Sequence, residues 1–248
     1  MFYCCGITDK GIMPHNEDAL LIGESVLTEG SVCQDIHEPF IAAVADGVSG
    51  EPGGEIASSM SLEFIRDMHY SGIIRLDIRL HEIHRQLAEY SRNSSENRNM
   101  QATLCGIAVD EAGGILSFNV GDSRLYRFRQ GRISQLSRDQ SLVQLLYEEG
   151  AITTQQRRTH VHRNIIFPAF GNINTVPKID IVPIEGGMGH GDVLLLCTDG
   201  ISDYLSTLDI EEIMELPKSL PRRLELLKET ALARGGKDNL TVIGIVRC

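Results

Sequence analysis

The sequence predicts an α+β fold in which hairpin-connected strands form antiparallel sheets and helices pack outside them. Two observations lead to this fold class. Strands joined by short turns follow one another between positions 103 and 129, and two long helical stretches stand together after the first strands. The strict alternation of strand and helix that a doubly wound parallel sheet requires is therefore missing.

Nine short apolar, β-rich segments predict the strands, because such residues pack well on a pleated and half-buried surface. In chain order they span residues 2–8, 18–22, 40–45, 103–109, 114–120, 123–129, 178–183, 193–198 and 240–246.

Apolar residues at helical spacing predict helices over 55–70 and 76–90. The second of these carries a stripe on one face, made of Leu76, Leu80, Ile83, Leu87 and Tyr90. A third helix is predicted over 140–149, because Ser137 and Gln140 have the spacing of a capping box and Gly150 marks an end. The last predicted helix has Pro221 in its first turn and Gly235 just past its end.

Composition narrows the class of protein. The chain has 248 residues, of which 42% are hydrophobic, and its 34 acidic against 23 basic residues give a net charge of −11. This is the balance of a folded globular protein, and it disfavours one that grips nucleic acid or an anionic membrane surface. Without internal repeats or linkers, one domain over residues 1–248 is expected.

Six cysteines lack the CxxC spacing, and Cys105 and Cys197 lie inside apolar segments. They are interpreted as reduced thiols, most of them buried. Neither a leader sequence nor an apolar run long enough to span a membrane is seen. A cytoplasmic location is therefore expected.

In five places an acidic residue stands at the tip of an apolar strand, beside glycine or another small turn former. These tips are Asn16-Glu17-Asp18, Ala45-Asp46-Gly47, Gly121-Asp122-Ser123, Thr198-Asp199-Gly200 and Lys237-Asp238-Asn239. One such tip alone is more often a simple turn. Five together point to carboxylates gathered at one rim of a sheet, where they would repel one another unless a cation lay among them. Oxygen ligands without paired histidines or thiolates favour magnesium or manganese over zinc.

Five segments carry a more specific signal: VADGVSGEPGGEIAS, SFNVGDSRLYR, SRDQSLVQLLYEEGAIT, LLLCTDGISDYL and GGKDNLTVIGI. In this order they resemble the successive signatures of the metal-dependent protein serine/threonine phosphatases, the PPM or type 2C class, in its compact bacterial form. The likeness runs from about Gly6 to Val246. It implies a four-layer α-β-β-α fold, a central sandwich of two antiparallel β-sheets flanked by helices, with a flap-like segment at about 139–175.

The resemblance also implies two metal ions bound at one end of the sandwich. Asp46 resembles the carboxylate that bridges both ions, and Gly47 the residue that offers its backbone carbonyl. Glu17 matches a ligand of the second ion, whereas Asp199 and Asp238 match ligands of the first.

Two further positions complete the implied centre. Asp18 matches a residue that holds a metal-bound water, and Asp122 matches the ligand of a weaker third ion that would share Asp199. The expected cofactors are therefore two Mn²⁺ or Mg²⁺ ions per chain, with a weaker third site. Such ions lower the pKa of a shared water, which attacks the phosphorus of a phosphoserine or phosphothreonine without a covalent phosphoenzyme.

The chain departs from the family pattern at the phosphate-binding position. Met13 stands where many members carry an arginine that binds the substrate phosphate, and His15 either replaces it in part or is simply a solvated loop residue. His160, in the flap-like segment, is a candidate proton donor, although it also fits an exposed basic edge with Arg157 and Arg163.

The sequence therefore predicts a protein serine/threonine phosphatase whose partners are phosphorylated proteins, the substrates of a serine/threonine kinase. A monomer that binds neither nucleic acid nor a membrane is expected. One alternative is a pseudophosphatase or regulatory phosphoprotein-binding module that has lost the phosphate-binding arginine. Another, a two-metal phosphodiesterase or nuclease, is disfavoured by the acidic balance.

Overall fold

Two six-stranded antiparallel sheets lie face to face in the computed structural model of the protein, which describes residues 1–48 and 52–248. The first sheet, in spatial order, consists of β4 (Gly30–Ile36), β1 (Phe2–Asp9), β12 (Leu240–Arg247), β11 (Val193–Cys197), β8 (Arg124–Arg129) and β9 (Arg132–Gln135). The second consists of β10 (Asp180–Pro183), β7 (Ile115–Val120), β6 (Leu104–Val109), β5 (Phe40–Asp46), β2 (Asp18–Ile22) and β3 (Ser25–Leu27).

Helices cover the outer faces of both sheets. The long pair α1 (Gly54–Asp67) and α2 (Leu76–Asn93) packs against the second sheet, and α5 (Asp199–Ser202), α6 (Thr207–Glu215) and α7 (Leu220–Ala233) pack against the first. Two short helices, α3 (Leu142–Glu148) and α4 (Thr154–Thr159), lie in the segment between β9 and β10. The predicted α+β fold with two antiparallel sheets and flanking helices is confirmed.

Side chains along the central strands point alternately to the core between the sheets and to the helices outside. In β5, Phe40, Ala42 and Val44 face the core between the sheets, whereas the intervening Ile41, Ala43 and Ala45 face the helices. Because both faces of such a strand are buried, its sequence is continuously apolar rather than alternating. This is why the apolar segments predicted these strands well.

All nine predicted strands are present, with ends that differ by at most two residues. The prediction missed β3, β4 and β9, of which β3 and β9 are the last strands of their sheets and β4 the first. Edge strands carry polar and charged residues, as in RISQ of β9, where only Ile133 is buried. Such segments lack the apolar signal of a central strand.

The third predicted helix begins two residues later than expected. Ser141, not Ser137, is the N-cap of α3. Gln140 is instead buried and precedes the helix, where its side-chain oxygen accepts the N–H of Gly121 at 3.1 Å. Tertiary hydrogen bonds to a distant turn therefore override the local capping pattern. Helix α1 also ends earlier than predicted, at Asp67.

The expectation that every cysteine is a reduced thiol is wrong for one pair. Cys5 on β1 and Cys33 on β4 are directly opposite in the register and are joined as a disulfide. Cys4, Cys105 and Cys197 are free and buried, and Cys248 is free and exposed. Because of this disulfide, the cysteines no longer support a cytoplasmic location. No helix within the described ranges has the length and apolar character needed to cross a membrane.

Candidate metal centre

The acidic tips of five separate chain segments meet at one rim of the sandwich. Asp18 opens β2 and Asp46 closes β5, and the two are register partners. Asp122 follows β7, which lies next to β6 and so ends near the end of β5. Asp199 follows β11, and Asp238 precedes β12, its antiparallel neighbour. Antiparallel pairing thus brings residues far apart in sequence to the same edge.

Asp46 lies at the centre of this group. Burial raises the pKa of Asp46 well above its usual range, and four neighbouring carboxylates raise it further: Asp18, Asp199, Asp238 and Asp122. The protein therefore concentrates negative charge around Asp46, which is costly unless a positive ion is bound.

Asp199 shows the same effect from the other side of the cluster. Its pKa is also raised far above the usual range by burial, with Asp122 and Asp238 adding to the effect. One of its oxygens, Oδ1, is buried without a hydrogen-bond partner among the described residues. A buried carboxylate oxygen with no donor is unusual and points to a ligand outside the protein chain.

Asp18 is deeply buried, with 1% of its surface exposed. The hydroxyl of Thr198 donates to its Oδ2 at 2.8 Å. Burial raises the pKa of Asp18 to about 7, and the carboxylates of Asp238 and Glu17 contribute. The hydrogen bond from Thr198 thus fixes the orientation of the buried Asp18 carboxylate.

Glu17 and Asp122 are two further carboxylates of the cluster. Burial raises the pKa of Glu17, and Glu55 and Asp238 raise it further. Burial raises the pKa of Asp122 to about 7, and the carboxylates of Asp139 and Asp203 raise it further. The pKa values of Asp122 and Glu17 are therefore raised by different neighbouring carboxylates.

Asp238 completes the predicted carboxylates. Its pKa is raised by burial, and the positive Arg163 partly opposes this. Arg163 Nε lies 3.6 Å from Oδ2 of Asp203, so the segment after α4 reaches the edge of the cluster.

Gly47 brings the start of α1 against the cluster. A Cβ at this position would stand 2.4 Å from the carbonyl carbon of Gly54, so only glycine fits. The N–H of Gly47 donates to the carbonyl of Glu17 at 3.0 Å. The Asp46-Gly47 turn is thereby tied to the segment that carries Glu17. Within the VADGVSGEPGGEIAS motif, residues 49–51 lie outside the described residues.

Sequence reasoning missed two polar residues of this rim. Asn239 accepts the N–H of Glu17 at 2.8 Å and donates to the carbonyls of Lys10 and His15, so it anchors the loop before β2. Asp203 lies one helical turn after Asp199 and raises its pKa. The i, i+4 spacing in TDGISDYL was a signal that could have revealed Asp203. Nothing local distinguished Asn239 from an ordinary turn residue.

Two predicted positions are not drawn into the cluster. His160 caps the end of α4, and its Nδ1 accepts the N–H of His162 at 3.2 Å. It makes no hydrogen bond to a carboxylate among the described residues. Met13 lies in the turn between β1 and β2, where its N–H donates to the carbonyl of Lys10 at 3.1 Å.

The donor chemistry of the cluster suits a hard divalent cation, since every side chain in it offers carboxylate oxygens. The arrangement of these side chains is less specific for a metal ion than their chemistry. Among the described residues, no three side chains of His, Cys, Asp or Glu converge as a ready set of ligands around one point. The fit to a metal ion rests on the carboxylates gathered around Asp46 and on Asp199 Oδ1, which has no hydrogen-bond partner among the described residues.

The amino-acid sequence is similar to proteins of known activity. Residues 22–239 match the model of the family described as protein phosphatase 2C. The chain is 29% identical to the serine/threonine phosphatase stp of Listeria welshimeri, over 97% of this chain and 94% of that protein.

Two crystal structures are similar in fold. Serine/threonine phosphatase Stp1 from Staphylococcus aureus superimposes with a TM-score of 0.84 at 25% identity, covering 100% of this chain and 96% of its own. The catalytic domain of the serine/threonine protein phosphatase PstP, in complex with two manganese ions, gives a TM-score of 0.77 at 27% identity and covers 99% of each chain.

Proposed function

The chain belongs to the protein phosphatase 2C family, and from this premise we propose that it hydrolyses phosphoserine and phosphothreonine in proteins. Similar proteins carry the name of serine/threonine phosphatase over nearly the whole length of the chain. The observation that carries the proposal is the group of carboxylates around Asp46, since a phosphatase of this family is metal-dependent and needs such a group.

In the proposal, Asp46 would help to hold two divalent ions, one together with Glu17 and the carbonyl of Gly47 and the other together with Asp199 and Asp238. Asp122 contributes to a weaker third site together with Asp199. Bound there, Mn²⁺ or Mg²⁺ supplies a water of lowered pKa as nucleophile and neutralises charge that develops on the phosphoryl oxygens. The complex of PstP with two manganese ions supports a count of two.

Asp18 has a separate role in the proposal. Its carboxylate is buried beneath the cluster and held by Thr198, so it can accept hydrogen bonds from water that approaches Asp46. Water oriented in this way is directed toward the phosphorus of the substrate. This supports Asp18 as a residue that orients the nucleophile.

His160 is proposed as the proton donor to the leaving serine or threonine oxygen. Its Nδ1 accepts a hydrogen bond from the backbone, which leaves Nε2 to carry the ring proton. The flap-like segment at about 139–175, within a single domain over 1–248, would present His160 and Arg163 to the phosphopeptide. The partners proposed are proteins phosphorylated by a serine/threonine kinase.

The test is hydrolysis of a phosphothreonine peptide with Mn²⁺, with Mg²⁺ and with chelator. The wild-type chain is compared with Asp199→Ala and with Asp67→Ala, a control whose side chain is 59% exposed on α1. We expect metal-dependent turnover that Asp199→Ala abolishes and Asp67→Ala leaves unchanged. Metal binding without turnover in the wild-type chain would instead support the pseudophosphatase alternative, which no observation favours.

A further inference from the structure

The hydroxyl of Thr103 lies between two acidic tips of the cluster. Its Oγ1 accepts the backbone N–H of Asp46 at 3.1 Å. The same oxygen is 2.7 Å from Oγ of Ser123, the residue that follows Asp122. Thr103 is 2% exposed and Ser123 is fully buried, so water does not compete for these bonds.

Thr103 also holds both tips by other contacts. Its own N–H donates to the carbonyl of Asp46 at 2.7 Å, which closes a second hydrogen bond between the same two residues. On the other side its Cγ2 lies against Gly121, which has a φ of +101° and where a Cβ would come within 2.8 Å of that methyl group. One side chain thus contacts the turn after β5 and the turn after β7.

The backbone around Thr103 is itself fixed. Neighbouring Ala102 exchanges two hydrogen bonds with Phe170, at 3.0 and 2.9 Å, and Gln101 accepts the N–H of Val48 at 2.9 Å. The position of the hydroxyl is therefore set by the fold rather than by a local rotamer preference. A rigid donor and acceptor between two ligand-bearing turns is what orients the groups of a metal site.

We infer that Thr103 is a positioning residue, whose hydroxyl sets the spacing between the Asp46 and Asp122 carboxylates and so determines how tightly the site binds a divalent ion. The inference rests on the proposed function, because it takes the cluster to be a metal centre. Loss of the hydroxyl leaves the buried Ser123 Oγ and the Asp46 N–H each without this partner. The two turns are then free to move apart under the repulsion of their carboxylates.

The experiment measures Mn²⁺ affinity by calorimetry, without substrate, for the wild-type chain and three variants. Thr103→Val keeps the shape but removes the hydroxyl, and Thr103→Ser keeps the hydroxyl. The matched control, Thr230→Val, removes a hydroxyl that donates to the carbonyl of Leu226 at 2.6 Å within α7.

For Thr103→Val we expect Mn²⁺ affinity to fall by about 10- to 100-fold, the usual effect of losing an outer-sphere partner. Thr103→Ser should restore affinity to within about threefold of wild type, and Thr230→Val should leave it unchanged. A folded Thr103→Val protein with wild-type affinity would overturn the inference. Failure of serine to rescue would do the same, because shape rather than the hydroxyl would then matter.

Ser123→Ala gives a second variant should Thr103→Val not fold. It removes only the partner hydroxyl, and we expect a smaller loss of Mn²⁺ affinity, of roughly 3- to 10-fold. Unchanged affinity in Ser123→Ala would overturn the coupling to the Asp122 turn.

Turnover of a phosphothreonine peptide separates the two proposals. A wild-type chain that binds Mn²⁺ but hydrolyses nothing refutes the proposed function while the affinity series still tests Thr103. A chain that hydrolyses the peptide while Thr103→Val binds like wild type refutes only the role of Thr103. A wild-type chain that binds no Mn²⁺ at all refutes both.

Discussion

Asp18 and Asp46 stand opposite each other as register partners at the ends of β2 and β5. Two carboxylates are thereby held side by side at the same rim, and each raises the charge density around the other. The pairing is a product of the antiparallel ladder, since a shift of one residue would turn either side chain to the other face of the sheet. Holding two like charges side by side is unfavourable unless a cation or a proton neutralises one of them.

Asp46 and Asp122 should differ in how much activity depends on them. Asp46→Ala removes the proposed bridging ligand, and we expect phosphatase activity to fall by about 1000-fold or more. Asp122→Ala should cost only part of the activity, about 10-fold, because it leaves the two-metal ligands in place. Initial rates with a phosphothreonine peptide at saturating Mn²⁺ check this. Equal and small losses in both variants would mean that the metal site has been placed wrongly.

Stability without metal should increase as pH falls from 8 to 6.5. Burial raises the pKa of Asp18 and of Asp122 to about 7, so the folded chain takes up protons there that the unfolded chain, with ordinary carboxyl pKa values, does not. Proton uptake by the folded state favours folding, and the repulsion is fully restored as pH rises through the folded-state pKa. Thermal unfolding in chelator should show a midpoint several degrees higher at pH 6.5.

Bound metal should remove this pH dependence and raise the midpoint at pH 8, since a cation replaces the protons. Asp46→Asn, which deletes one charge, should raise the midpoint in chelator at pH 8. Identical midpoints with chelator and with Mn²⁺ would count against a metal centre in this cluster.

The buried ion pair between Arg124 and Asp139 should be essential for stability. Two guanidinium nitrogens of Arg124 donate to Asp139, at 2.7 and 3.1 Å, and the side chains are only 15% and 5% exposed. Asp139→Ala leaves a buried guanidinium without its carboxylate, which we expect to lower the free energy of unfolding by about 3–5 kcal/mol.

The matched control for that pair is Glu229→Ala on α7, where both partners of the Arg222–Glu229 pair are 47% exposed. Removal of an exposed partner should cost at most about 0.5 kcal/mol. Urea unfolding of the three proteins compares the two losses. Similar losses for Asp139→Ala and Glu229→Ala would show that burial of the Arg124 pair adds nothing.

His84 should make the protein less stable in mild acid. Its side chain is buried on α2, where its Nδ1 accepts the N–H of Gly171 at 3.1 Å, and burial lowers its pKa to about 4. An unfolded histidine takes up a proton below about pH 6.5, so His84 lowers the free energy of unfolding progressively as pH falls from there to about 4. His84→Asn keeps an acceptor for Gly171 and should flatten this dependence. Denaturation curves at pH 6.5, 5.5 and 4.5 measure it, and an unchanged slope in the variant would assign the effect to other groups.

Met13→Arg would place an arginine where the resemblance to the family implies one that binds the substrate phosphate. We expect the KM for a phosphothreonine peptide to fall several-fold with little change in kcat, because the added charge binds substrate and transition state alike. Steady-state kinetics of the variant check this against Met13→Gln, which adds polarity without charge. An unchanged KM would indicate that another residue already binds the phosphate.

The central strands and the acidic tips could be predicted because their signals are local. A strand buried on both faces has a continuous apolar run, and a carboxylate beside glycine at its end is visible in a few letters. The edge strands could not be predicted in this way, since β4 and β9 carry mostly exposed residues. Gln140 misled the capping prediction because its hydrogen bonds go to Gly121, nineteen residues away in sequence.

Within the candidate site, the sequence by itself determined which residue types stand at the strand ends, and hence the hard oxygen donors on offer. Only the tertiary structure decided which other residues surround these carboxylates. It placed Asp203 near Asp122, bonded Asn239 to the N–H of Glu17, joined Cys5 to Cys33 and left Asp199 Oδ1 without a donor among the described residues. Such relations depend on strand pairing and burial, which bring together residues that no local pattern connects, and the free energy of a charge depends on those neighbours.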